Sequence, residues 1–269
     1  AAAAAAVRAA AAAETAATDA AATPAATPAS GSEEDAALAA GMTELDRAVM
    51  SMATARFGGD AAVPAEPRSA AAAQPRTRQD GKVLERLHEL FKHRPVWLEG
   101  PLRKQLPAGL EYSALLRLLT GVAYQWADGP WQTAFARYGW DPRRHPEEAK
   151  WLQVLEFRDP FLRGEGRRSR GEREEEADRD CYFKRPPSSY KQTYQLVDIK
   201  DDFVTELVRG SEPTDECSRR SGWLEQVIYE AARERLGVRS HQLREKLAAR
   251  EEAQRAAKRA ARGGRGRGR

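Results

Sequence analysis

The sequence predicts an α+β fold that is mainly α with a small β wing, carries additional C-terminal helices and has disordered ends. Three observations predict it. All six Trp and all seven Tyr of the 269 residues fall between Asp80 and Leu247, so a core has to form there. Residues 1–79 are dominated by Ala with scattered Thr, Pro, Ser and Gly. Such a segment buries too little apolar area to offset an ordering cost of about 1–2 kcal/mol per residue. Within the foldable part, apolar residues recur first at helical spacing and then in two β-compatible runs.

The elements follow in order. In the leader, the imperfect spacing of Leu45, Val49, Met52 and Phe57 allows one short helix within residues 43–57. Val83, Leu84, Leu87, Leu90 and Phe91 then mark one helix face, and Pro95 disfavours helical geometry before it, ending this helix near Arg94. A short second helix spans 99–106, with Pro101 tolerated in its first turn and Pro107 terminating it. Tyr112, Leu115, Leu116, Leu119, Val122, Ala123 and Trp126 predict a third helix of four turns, with Arg117, Thr120, Tyr124 and Gln125 on its other face. Asp128-Gly129-Pro130 breaks it. Residues 133–138 and 151–157 read as two strands, joined by turn chemistry that places Arg143 and Arg144 at the tip of a loop. Three helices followed by a two-stranded ribbon with a basic loop is the order of a winged helix-turn-helix.

The division expected is a disordered leader over 1–79, a winged helix-turn-helix DNA-binding domain over 80–161 and a charged linker over 162–180. A C-terminal extension packing on the winged helix follows over 181–238, then a basic helix and Arg-Gly tail over 239–269. The extension carries Tyr194, Leu196, Phe203, Leu207, Trp223, Val227 and Ile228, a set too small to form a core of its own.

Several function classes are disfavoured. Cys181 and Cys217 lack disulfide or zinc-ligand spacing, which points to a reducing compartment. No run approaches the roughly 18 apolar residues of a membrane span. Glu14, Asp19, Glu33, Glu34 and Asp35 argue against reading the leader as a transit peptide. His88 and His93 are five apart and do not share a helix face, and Gly164-Glu165-Gly166 lacks the strand-then-helix context of a phosphate cradle. The expectation is therefore no enzyme, no metal, no cofactor, no membrane and no small-molecule substrate. Trp97, Trp126, Trp131 and Trp151 read as core in preference to stacking platforms for single strands.

The residues also resemble a known family. Arg94-Pro95-Val96-Trp97, Val122-Ala123-Tyr124-Gln125-Trp126-Ala127-Asp128-Gly129-Pro130-Trp131, Arg137-Tyr138-Gly139-Trp140-Asp141-Pro142-Arg143 and Gln153-Val154-Leu155-Glu156-Phe157-Arg158 resemble blocks of transcription factor IIIC subunit five, in that family's order. Tyr190-Lys191-Gln192-Thr193-Tyr194-Gln195-Leu196-Val197-Asp198-Ile199 looks like the segment after its variable insertion, and the likeness spans roughly Leu84 to Leu236. The resemblance implies a nuclear complex that recognises the internal promoter of tRNA genes, with this subunit on the box A side, supporting initiation by RNA polymerase III. Double-stranded DNA and other subunits of the factor are the partners implied. Two departures are visible. Nothing before Asp80 resembles the family's N-terminal pairing barrel, and the chain ends in Arg and Gly where many members end in an acidic tail.

The candidate DNA contacts follow from position. Arg143 and Arg144 would meet phosphate from the loop, Arg117, Tyr124 and Gln125 would read base edges from the third helix, and Arg103 and Lys104 would clamp the backbone from the second. A solvated turn or a subunit contact is the competing reading, and a winged helix that docks another subunit without touching DNA is the alternative for the whole domain. The Arg-Gly tail, with Arg255, Lys258, Arg259 and Arg262 before it, adds sequence-blind attraction to nucleic acid or serves as a solubilising or import tail.

Overall fold

The computed structural model describes residues 42–58, 62–69, 74–163 and 180–264, all within one compact unit, Met42–Arg269. The leader before residue 42, most of the charged linker and the Arg-Gly tail lie outside the described residues.

The first element begins where the sequence allowed only one short helix in an otherwise disordered leader. Helix α1 (Glu44–Ser51) opens on a reciprocal cap: the Asp46 backbone amide donates to Thr43 Oγ1 at 3.2 Å, and the Thr43 amide donates to Asp46 Oδ2 at 3.1 Å. Its Ala48, with Met52 after it, is buried in the main core, and strand β1 (Thr54–Ala55) follows. This stretch is structural, and a fold boundary at Asp80 is set too late.

Helix α2 (Arg78–His93) starts at Thr77, whose Oγ1 accepts from the Asp80 amide at 3.0 Å, and stops at Arg94 before Pro95. Its Val83, Leu87, Leu90 and Phe91 are buried, as the spacing predicts. Strand β2 (Val96–Trp97) and helix α3 (Glu99–Arg103) come next; the helix is shorter than the predicted 99–106.

Helix α4 (Tyr112–Leu119) departs most from expectation. It ends seven residues before Trp126, and Ala123–Trp126 is strand β3. Thr120 Oγ1 donates to the Arg117 carbonyl at 2.6 Å, and Gly121, which costs roughly 1 kcal/mol inside a helix, breaks the run. The following four residues gain more from pairing than from helix: β3 lies between β1, to which it is parallel, and β4 (Phe135–Arg137), to which it is antiparallel. With β2 antiparallel to β4, the sheet order is β1-β3-β4-β2. Three helices and this sheet make a winged helix-turn-helix, but the wing is the β3–β4 connection, residues 127–134.

The predicted ribbon is therefore corrected. Strand β5 (Val154–Arg158) does not pair with β4; it joins β6 (Lys191–Gln195) in a separate antiparallel pair, Leu155 opposite Tyr194. The loop between β4 and β5 contains the one-turn helix α5 (Pro146–Ala149) and folds inward. Trp140 stacks on His145 at 4.9 Å, and Trp223 Nε1 donates to the Pro142 carbonyl at 2.9 Å.

Helices α6 (Asp202–Arg209) and α7 (Gln226–Gly264) complete the unit. A core of Leu155, Phe157, Phe183, Tyr194, Ile199, Val204, Leu224 and Leu236 joins them to the β5–β6 pair. Phe203 and Val227, counted as apolar anchors from the sequence, are instead 50% and 62% exposed, on the solvent sides of their helices. Gln195, fully buried, ties this part to the winged helix: its Nε2 donates to the Val96 and Leu152 carbonyls, and its Oε1 accepts from the Leu98 amide at 3.0 Å.

Candidate nucleic-acid interface

The winged helix leaves one cleft beside its wing. It encloses about 360 Å³ between the start of α3, the start of α4, the β3–β4 strands and strand β6, and its lining includes Arg103, Tyr112, Gln125, Thr133, Lys191 and Thr193. Arg103 is held in place by its Nη2 donating to the Leu110 carbonyl at 3.2 Å, with Glu99 at 3.6 Å. Gln125 Nε2 donates to the Thr133 carbonyl at 3.3 Å across the wing, leaving an exposed amide at the mouth. Lys191 Nζ lies 2.6 Å from Glu156 and is 59% exposed. The cleft is thus lined by cationic, amide and hydroxyl groups, with the Glu99 carboxylate among them, over the buried ring of Phe135. Such groups suit phosphate and base-edge contacts.

Of the residues named from the sequence, Arg103 and Gln125 line this cleft, whereas Lys104 is exposed and lines a separate depression with Arg103 and residues 106–110. Gln125 gets there from a strand and not from a recognition helix.

Arg117 and Tyr124 are turned inward. Arg117 is 5% exposed, with Nη2 donating to Asp80 at 2.6 Å, Nε to Glu44 at 2.8 Å and Nη1 to the Gln74 carbonyl at 2.7 Å. Tyr124 is fully buried and its hydroxyl donates to the Trp140 carbonyl at 2.9 Å; burial pushes its phenol far above the ordinary value. Neither side chain has surface to offer a base. From Leu115 to Thr120 every residue of α4 and its C-cap is buried, because α1 packs over the side that a recognition helix would present.

Arg143 and Arg144 are not on the wing either. The Arg143 guanidinium grips Asp141 at 2.9–3.2 Å and sits 5.5 Å over Trp126. Arg144, on the turn Pro142–Arg144, is exposed. Replacing Arg143 with Ala is expected to lower stability by about 2 kcal/mol, since a charge-assisted pair to a mostly buried carboxylate is lost. The salt dependence of DNA binding should not move. A thermal melt and a salt titration of the same variant check both halves.

Sequence reasoning had no route to Lys191 or Thr193 as cleft residues, since β6 reaches the wing only through tertiary packing, and Tyr112, counted on the apolar face of the third helix, is instead 40% exposed and lines the cleft. The tryptophans lie as the core reading has them: Trp97, Trp126 and Trp131 are buried and Trp151 packs partly buried on the second core. Burial also raises the thiol of Cys181, and that of Cys217 to about 12, so both stay protonated at neutral pH.

Comparison with known proteins places this geometry. A family model described as Tau95, the RNA polymerase III transcription factor (TF)IIIC subunit HTH domain, matches residues 15–158, well upstream of Asp80. The transcription factor tau subunit sfc1 of Schizosaccharomyces pombe is 30% identical over 154 residues, 57% of this chain and 31% of that protein. General transcription factor 3C polypeptide 5 of Homo sapiens is 38% identical over 103 residues, 37% of this chain and 19% of that protein. The chain thus spans less than a third of these relatives. The solved structure of Sfc1-DBD superposes with a TM-score of 0.56 at 23% identity, covering 73% of this chain and 90% of that one, a likeness of fold.

Proposed function

Since the chain belongs to the Tau95 family of RNA polymerase III transcription factor IIIC subunits, we propose that its winged-helix unit binds duplex DNA on the box A side of tRNA-type promoters, within the nuclear factor IIIC complex, and supports initiation. It acts there as a binding subunit and not as an enzyme. The observation that carries this reading is the cleft beside the wing, which Arg103 and Gln125 line, with Lys104 exposed next to Arg103 in the chain. The solved fold it resembles is that of Sfc1-DBD, a relative's DNA-binding domain.

Arg103 and Lys104 supply the sequence-blind part. Each phosphate neutralised contributes about 0.9 to the slope of log affinity against log salt, so replacing both with Ala should flatten that slope by about 1.8. Gln125 supplies a base-edge contact that releases no condensed counterions. Gln125→Ala should therefore change the preference among promoter sequences and leave the slope alone. Fluorescence anisotropy of a labelled promoter duplex across a salt series measures both. An unchanged slope in the double variant would reject this surface as the DNA contact.

A second reading is favoured by the burial of α4. A winged helix whose recognition helix is covered has the build of a scaffold that docks another subunit, and that reading moves ahead if the parent chain binds no duplex.

A further inference from the structure

The covered face of α4 and the surface next to α3 together say how DNA would be gripped. Beyond its first turn α4 presents nothing to a groove, and Arg117, the one cation in the helix, is engaged by Glu44 and Asp80. At the edge of α3, by contrast, residues from two distant segments meet. Cys181 packs against Gly100 of α3, and this brings the next residue, Tyr182, beside Lys104. Lys104 Nζ lies 5.8 Å from the centre of the Tyr182 ring and Lys184 Nζ lies 5.7 Å from it, so the half-buried ring is flanked by two ammonium groups.

The turn that holds them is fixed by its own hydrogen bonds. The Asp180 carboxylate accepts from the backbone amides of Tyr182 and Arg185, and the Lys200 amide donates to the Tyr182 carbonyl at 2.9 Å. The nearby carboxylates are occupied: Asp198 by Arg94, Glu99 by Arg103 and Asp180 by that turn. Lys104 and Lys184 form no ion pair with another described residue, and both are exposed. Two exposed ammonium groups beside the ring of Tyr182 offer charge and hydrogen-bond donors, with no acceptor pattern that would select a base.

We infer that Lys104, Tyr182 and Lys184 form a phosphate-contact patch for duplex DNA, so that the chain grips the DNA backbone along the α3 edge without inserting α4 into the major groove. The inference rests on the DNA-binding reading above and adds to it two residues from outside the winged helix. It also accounts for the segment after the charged linker, which completes the basic edge that α3 begins.

The test uses the full chain and a labelled duplex, with affinity followed across a salt series. Lys184→Ala is expected to flatten the log–log slope by about 0.9 on promoter and unrelated duplexes alike, and Lys184→Arg to restore it. Tyr182→Phe should weaken binding roughly 5-fold with the slope unchanged, because a neutral donor displaces no counterions. If Lys184→Ala keeps the parent slope while Arg103→Ala flattens it, the patch is overturned and the DNA-binding reading stands. If the parent chain binds no duplex at low salt, both fall together.

Discussion

Replacing Arg117 with Ala is expected to destabilise the protein by about 3–5 kcal/mol, the largest loss at any site considered for DNA contact. The side chain bridges three segments: Asp80 at the start of α2, Glu44 at the start of α1 and the Gln74 carbonyl in the connection between them. Removing it leaves the Asp80 carboxylate buried without its cation. Burial alone would raise that carboxyl, but hydrogen bonds from the Arg76 amide, from Arg117 and from Thr77, with the Arg117 charge, outweigh burial and hold it at about 2 against the usual 3.8. The folded value lies below the unfolded one. The stabilisation is therefore in full effect above about pH 4 and is lost as pH falls from there toward 2. Thermal melts from neutral to acid pH should show Asp80→Asn with a shallower acid limb than the parent. An Arg117→Ala melt within a degree of the parent would contradict the bridging role.

Arg94→Ala is expected to cost a similar amount, about 3–5 kcal/mol, and to loosen the joint between the winged helix and the β5–β6 pair. The guanidinium meets Asp198 through two nitrogens at 2.9 and 2.6 Å, shares Gln195 Oε1 at 2.5 Å with the Leu98 amide, and lies 4.0 Å over Trp97. Lys cannot reproduce a planar fork that is both bidentate and stacked, so Arg94→Lys should recover less than half of the loss. Hydrogen exchange should quicken at Lys191–Gln195 before it does in α2. Equal exchange in both, or full rescue by Lys, would show that the joint does not depend on this geometry.

Much of the winged helix was legible because its signals are local. The stop of α2 before Pro95 needs only neighbouring residues, and the buried face of Val83, Leu87, Leu90 and Phe91 is a matter of spacing; the cap at Thr77 lies ahead of the boundary read at Asp80. The covering of α4 left no such trace. At about 100° per residue, Leu115, Leu116, Leu118 and Leu119 fill less than half of the circumference, with Ser113 and Arg117 opposite, which is the pattern of an ordinary half-exposed helix. Gln125 was named as a helix residue and lines the cleft from a strand, since Gly121 ends the helix before it. Tyr182 and Lys184 had no such signal: nothing near them in sequence points to Lys104.

The sequence by itself determined the α+β class, the family and the stop of α2 before Pro95, because a proline and a 3.6-residue period act within a few residues of chain. Only the tertiary structure decided which strands pair, where the wing lies and which cations stay free. A β run carries a preference for pairing but not the identity of its partner, so β5 could be read as the mate of β4 until β6, more than thirty residues later, took that place. The same holds for charge. Arg117 and Lys104 look alike in sequence, but a helix packed from the leader buries the first against two carboxylates, while the second remains in solvent at the edge of α3.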